Sequence, residues 1–228
     1  MTWPKVSGVV AELNRRGLLR CSGAGALAGL GLLASCSDGQ DNPPAVLGSR
    51  AGGYVAGTAL TDGPPLPDIT LTDQDGKPFR LAHDVKTPVT LVFFGYTHCP
   101  DICPGILADL ASARSRAGGE VPAKTTVVLI STDPPRDTPK VMREYLKRID
   151  ESFIGLTGDL GTIKKAGAQL GITMEQTTKL PSGGYEITHG TQVYGFGADR
   201  KAQVLWSQGT SVADYKADFT TLVGKQPT

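Results

Sequence analysis

The chain has 228 residues, 39% of them hydrophobic and 20% charged, with a formal net charge of +1. That length suits one globular domain with some additional sequence rather than two full domains. No basic block or acidic tail is present, which leaves no electrostatic footprint for nucleic acid.

The first residues do not read as fold. Arg15 and Arg16 precede leucines, and a weakly apolar, Gly/Ala-rich run follows over residues 22–34. Such a run is too short to cross the ~30 Å hydrocarbon core of a bilayer comfortably as a helix. A charged start, a short apolar stretch and small residues read as an export signal over residues 1–35. The paired arginines resemble a twin-arginine address. Leu33-Ala34-Ser35-Cys36 resembles a bacterial lipobox, so Cys36 is the expected lipidated first residue of the mature chain. Acyl chains there would hold the protein on the outer face of the cell membrane. Removal of the leader takes away four basic side chains (Lys5, Arg15, Arg16, Arg20) and one acidic one (Glu12), leaving a slightly acidic mature chain. It also takes Cys21. With Cys36 capped, only Cys99 and Cys103 remain as thiols in an oxidising compartment.

Residues 36–57 are polar and rich in Gly and Pro, the composition of a tether. The domain is expected over 58–228. A hairpin is predicted from strands at 69–72 and 79–81 around Asp73-Gln74-Asp75-Gly76-Lys77. Residues 89–94, nearly all apolar, predict a central strand covered on both faces. A helix is expected over 105–117, with Leu107, Leu110 and Ala113 inward, and a second buried strand over 125–131. Thr138-Pro139 opens a helix running to about Asp150, with Val141, Tyr145 and Leu146 inward. A short strand at 153–157 and a helix at 159–170 follow. Residues 179–184 read as a loop. Residues 192–196 and 203–207 form a hairpin. Ser211 and Asp214 then begin a helix with Val212, Tyr215, Phe219 and Leu222 at helical spacing. The order predicts an α/β fold: a single thioredoxin-like domain, a central mixed sheet flanked by helices, with an N-terminal hairpin extension.

The most informative stretch is GYTHCPDICP at 95–104, which sets Cys99 and Cys103 four positions apart after a buried strand. If the backbone coils there, both sulfurs face one way. Several chemistries are open to such a pair. A structural disulfide over so short a loop would stabilise by only about 2 kcal/mol. A thioredoxin-type redox pair normally has two intervening residues, not three. Structural zinc and iron–sulfur clusters need four ligands, which the mature thiols cannot supply. Copper fits two soft thiolates joined by one imidazole.

Three histidines are available. His83 follows the first hairpin and reads as a solvated residue. His98 adjoins Cys99, and its side chain is expected to diverge. His189 precedes the strand at 192–196, and in a thioredoxin-like sheet that segment lies beside the cysteine turn. Thioredoxin-type enzymes usually place a proline there; here none occurs between Pro181 and the strand. That makes His189 the candidate third ligand.

GYTHCPDICP, STDPPRDTP at 131–139 and the histidine before the hairpin together resemble the SCO/SenC proteins over roughly residues 58–223. The resemblance implies a copper-binding metallochaperone. Copper, Cu(I) or Cu(II), would be held by Cys99, Cys103 and His189 and passed to the dinuclear copper site of cytochrome c oxidase subunit II or to another cuproprotein. The alternative it implies is a thiol–disulfide oxidoreductase that reduces a partner's cysteines. Two departures stand out: Thr188 where the family often has an acidic residue, and Gly195-Phe196-Gly197 where the strand often ends in one. Asp133 and Asp137 match the family's acidic loop, and turn chemistry is favoured there over direct metal contact.

Overall fold

The computed structural model describes residues 51–179 and 184–227. The leader and the lipidation site at Cys36 lie outside these residues. In chain order the elements are β1 (Thr58–Ala59), β2 (Thr70–Asp73), β3 (Pro78–Arg80), α1 (Leu81–Asp84), β4 (Val89–Gly95), α2 (Ile102–Ala117), α3 (Val121–Lys124), β5 (Thr125–Ser131), α4 (Pro139–Lys147), β6 (Ile154–Thr157), α5 (Leu160–Gln169), β7 (Met174–Lys179), β8 (Tyr185–His189), β9 (Val193–Phe196), β10 (Ala202–Trp206) and α6 (Val212–Gly224). Among the described residues no helix is long and apolar enough to cross a membrane.

Eight strands form one sheet in the order β1-β10-β9-β4-β5-β6-β2-β3. The apolar run predicted as a central strand is β4, buried at all seven positions. Its neighbours are β5, parallel, and β9, antiparallel. Crossovers through α2 and α4 keep β4, β5 and β6 parallel. The first hairpin, β2–β3, is added to the sheet through β6.

Alternation along β4 divides the core. Leu91 and Phe93 pack with α2, α4 and α6, while Val92 and Phe94 pack with α5 and the β2 side. Each such fully buried side chain contributes roughly 1.5–3 kcal/mol. Helix starts follow the side-chain chemistry: Thr138, Asp159 and Ser211 accept from the amides of Val141, Thr162 and Asp214. On α4 the inward residues are Met142, Tyr145 and Leu146, with Val141 only half-buried. The helix stops at Lys147, and the amide of Asp150 bonds back to the Leu146 carbonyl.

Two expectations are corrected. The tether through Gly57 ends earlier, because residues 54–57 are packed on the domain. Tyr54 is 2% exposed, and the buried Asp218 carboxylate accepts from the amides of Val55, Ala56 (3.2 Å) and Gly57 (2.7 Å) and from Trp206 Nε1 (2.8 Å). A Cβ at Gly57 would lie 2.3 Å from Val204 Cγ2, so only glycine passes there. The second correction is a pair of strands unforeseen on either side of the expected loop. β7 and β8 form a separate antiparallel two-stranded sheet, with Met174 opposite His189.

Candidate metal centre

The site sits where β4 runs into α2. Cys99 lies in the turn before the helix, and Cys103 lies in its first turn. The Cys103 amide donates to Cys99 Sγ at 3.4 Å, so a sulfur takes one of the helix's free N-terminal amides. No side chain caps α2 at Asp101. The coil anticipated from the spacing therefore forms, with Cys99 half-buried and Cys103 fully buried; both are free thiols. Gly95 makes the seat for the inner sulfur. A Cβ there would stand 2.8 Å from Phe93 Cε1 and 3.2 Å from Cys103 Sγ.

His189 arrives from the end of β8, not from a loop. Burial on this strand alternates, with Tyr185, Ile187 and His189 on the inner face and Glu186 and Thr188 exposed. His189 Nε2 lies 3.5 Å from Cys103 Sγ across 86 positions of sequence. Its Nδ1 lies 2.9 Å from the Gly190 carbonyl. A carbonyl only accepts, so Nδ1 carries the proton and Nε2 turns its lone pair toward the sulfur. Phe93 and Tyr96 stand edge-on to the imidazole at 6.1 and 5.9 Å between ring centroids.

Burial sets the electrostatics. It lowers the His189 pKa below the ordinary imidazole value, with the Gly190 bond opposing. Burial pushes the Cys103 thiol well above the usual cysteine range. The metal-free site is thus a neutral imidazole accepting from a neutral thiol. Beside it opens a cleft of about 310 Å³, lined by Tyr96, Cys99, Ile102, Ile187, His189 and Thr191 among others. Cys99 faces this cleft, whereas Cys103 lies behind. Thiol sulfur and imidazole nitrogen are donor types that suit copper. The structure brings His189 onto Cys103, while among the described residues Cys99, Cys103 and His189 do not all bring their ligand atoms within 4.8 Å of one another.

The other histidines lie elsewhere. His83 is in the one-turn helix α1, half-exposed, and pairs with Asp68 at 3.2 Å. His98 diverges from Cys99, its Nδ1 lying 3.0 Å from Thr97 Oγ1 and 3.7 Å from Asp137. His98, Asp133 and Asp137 do bring ligand-type atoms within 4.8 Å of one another. Donors already hold both carboxylates. Asp137 accepts from Thr97 N and Oγ1 and from Ser131 Oγ; Asp133 accepts from Tyr185 and Arg136. Beyond the local bonds to Ser131 and Arg136, these carboxylates are tied to distant Thr97 and Tyr185, which turn chemistry alone did not anticipate. Sequence reasoning gave Tyr185 no role, although it stands two and four positions before Ile187 and His189 in a strand's alternation.

A family model described as SCO1/SenC matches residues 64–224. The mitochondrial SCO2 protein of Saccharomyces cerevisiae is 41% identical over 96 residues, covering 42% of this chain and 32% of that protein. The chain spans about a third to three fifths of the length of the first curated relatives it matches. The structure of Arabidopsis thaliana ScoI with copper bound is similar at a TM-score of 0.64 and 27% identity, over 72% of this chain and 99% of that one. A SCO1/SenC family lipoprotein from Bacillus anthracis aligns at a TM-score of 0.60 and 26% identity, over 71% and 96% of the two chains. With most of its length matched by the family model and its fold shared with these structures, the chain belongs to the SCO1/SenC family.

Proposed function

We propose that this protein is a copper metallochaperone that holds copper through Cys99, Cys103 and His189. Its recipient is the dinuclear copper site of cytochrome c oxidase subunit II or another cuproprotein. The observation that carries this reading is the 3.5 Å approach of His189 Nε2 to Cys103 Sγ. Copper is cargo here. Loading a thiol pair with Cu(I) releases both thiol protons, and the imidazole lone pair, already aimed, completes three-coordination. Unloading begins at Cys99, because it faces the cleft while Cys103 does not. An incoming thiolate takes the place of Cys99 first, and the buried sulfur and the imidazole follow.

Metal analysis of the purified, reduced protein tests this. One copper per chain is expected, lost in Cys99→Ser; stoichiometric copper in that variant refutes the assignment. His189→Ala is expected to weaken Cu(II) retention more than Cu(I) retention.

The leader and Cys36 support export and lipid anchoring on the outer face of the membrane, and the lipoprotein relative agrees with that reading. Mass spectrometry of the membrane-bound protein should find acylation at Cys36, and Cys36→Ser should be released from the membrane.

A second reading, a thiol–disulfide oxidoreductase, draws on the same asymmetry. An exposed Cys99 can attack a partner's disulfide, and Cys103 behind it can resolve the mixed disulfide. Trapping such a mixed disulfide with Cys103→Ser, without metal, would favour it.

A further inference from the structure

Among the described residues, β7 and β8 share no backbone ladder with the main sheet. The two cysteines, by contrast, are built into the β4–α2 junction. The imidazole is therefore carried by a hairpin that side chains must hold in place, and one group of them does so.

At the start of β8, Tyr185 Oη donates to Asp133 Oδ1 at 2.6 Å. Asp133 is 1% exposed, and Arg136 closes on its other oxygen. The Arg136 guanidinium lies 3.8 Å from the Tyr185 ring centroid and 5.8 Å from that of Tyr96. From Asp133 the bonding continues without a break. The Asp133 amide donates to Ser131 Oγ (3.0 Å), Ser131 Oγ donates to Asp137 Oδ2 (2.6 Å), and Thr97 Oγ1 donates to Asp137 Oδ1 (2.6 Å). Thr97 is two residues before Cys99. The loop between β5 and α4 thus grips the histidine hairpin with one carboxylate and the cysteine turn with the other. Tyr185 and His189 lie on the same face of β8, about 13 Å apart at strand rise.

We propose that Asp133 and Tyr185 are positioning residues for His189: their hydrogen bond fixes β8 so that the imidazole meets the inner sulfur, Cys103. This rests on His189 being a copper ligand. Neither residue touches the metal; each acts through the strand. Groups that orient metal ligands in this way typically change affinity by about 10–100-fold when removed.

The test uses Tyr185→Phe, Asp133→Ala, the double variant and His189→Ala, each purified reduced and loaded with Cu(II). Release of Cu(II) into excess EDTA, the EPR spectrum, Cu(I) affinity against bicinchoninate and amide hydrogen exchange of the metal-free protein are measured. Tyr185→Phe removes a single oxygen. It is expected to release Cu(II) about tenfold faster with an altered EPR hyperfine splitting. Cu(I) affinity should change far less, and amide exchange should quicken over residues 185–189 but not in β4 and β5. The double variant should be no worse than Asp133→Ala alone, as for two halves of one contact. If both single variants keep the wild-type release rate and spectrum while His189→Ala loses Cu(II), the clasp is overturned and the copper reading stands. If His189→Ala also behaves as wild type, the ligand assignment fails and the clasp with it. Equal loss of protection in β4 and β5, or multiplying effects in the double variant, also overturns the proposal.

Discussion

Gly95→Ala tests how tightly the inner sulfur is seated. The added Cβ would meet Phe93 Cε1 at 2.8 Å, Cys103 Sγ at 3.2 Å and Leu129 Cδ1 at 3.3 Å. Phe93, Cys103 and Leu129 are all fully buried, so none can swing into solvent. Gly95 is the last residue of a regular strand, so alanine brings crowding rather than backbone strain. Overpacking of this kind costs about 1–3 kcal/mol. In a domain of this size each kcal/mol lowers Tm by about 2–4 °C, so a fall of roughly 2–12 °C is expected. The softest response is a shift of α2 and its sulfur by a few tenths of an ångström, away from the strand. Cu(II) should then be released faster than from the wild type even at temperatures where both are folded. Calorimetry on the metal-free protein and stopped-flow release into EDTA measure the two effects. An alanine variant that melts within 1 °C of the wild type, a change equivalent to well under 1 kcal/mol, and releases Cu(II) at the same rate would refute the close seating of Cys103.

Three further outcomes are expected. Asp218→Ala strips the acceptor from Trp206 Nε1 and from three amides of the 55–57 segment. A loss of about 2–4 kcal/mol should appear in urea unfolding, since buried donors left unpaired cost about 1–3 kcal/mol each and some here regain water. Burial, reinforced by the nearby Asp218 charge, pushes the Tyr54 phenol up to about 12 from its ordinary 10. Between pH 10 and 12 the unfolded chain gives up a proton that the folded chain keeps, so stability falls as pH rises through that window. Tyr54→Phe should flatten this part of the urea-midpoint profile, and an unchanged slope would count against the assignment. Finally, iodoacetamide should label Cys99 before Cys103, because Cys103 is 0% exposed; mass spectrometry of timed digests would show the order, and equal labelling would contradict it.

Much of the fold was legible because local signals agreed with the final packing. An unbroken apolar run became β4, Thr138-Pro139 started α4, and Ser211 with Asp214 started α6. The β7–β8 hairpin was not legible. Its first strand reads MEQTTK, too polar for an alternation to show. The site was legible by halves. The cysteine spacing at a strand end announced itself, and the place of His189 before the 192–196 strand, where a proline is usual, singled it out. That the imidazole meets the inner sulfur, and that Asp133 reaches Tyr185 across 52 positions, are facts of tertiary packing that local patterns do not encode. Tyr54 was hidden for a related reason: its Gly-rich surroundings look like linker, and the partner that fixes them, Asp218, lies more than 160 residues away.

The Asp218 clamp also decides where the polypeptide joins the body of the protein. From Gly57 the backbone runs along α6 toward its C-terminal end, where Lys225 reaches the Gly52 carbonyl. Gln226 next to it bonds to Ala198 in the β9–β10 turn. The cleft lies at the other pole, where β4 gives way to the cysteine turn. Among the described residues, the point where the chain joins the domain and the mouth of the cleft are thus at opposite ends of the sheet.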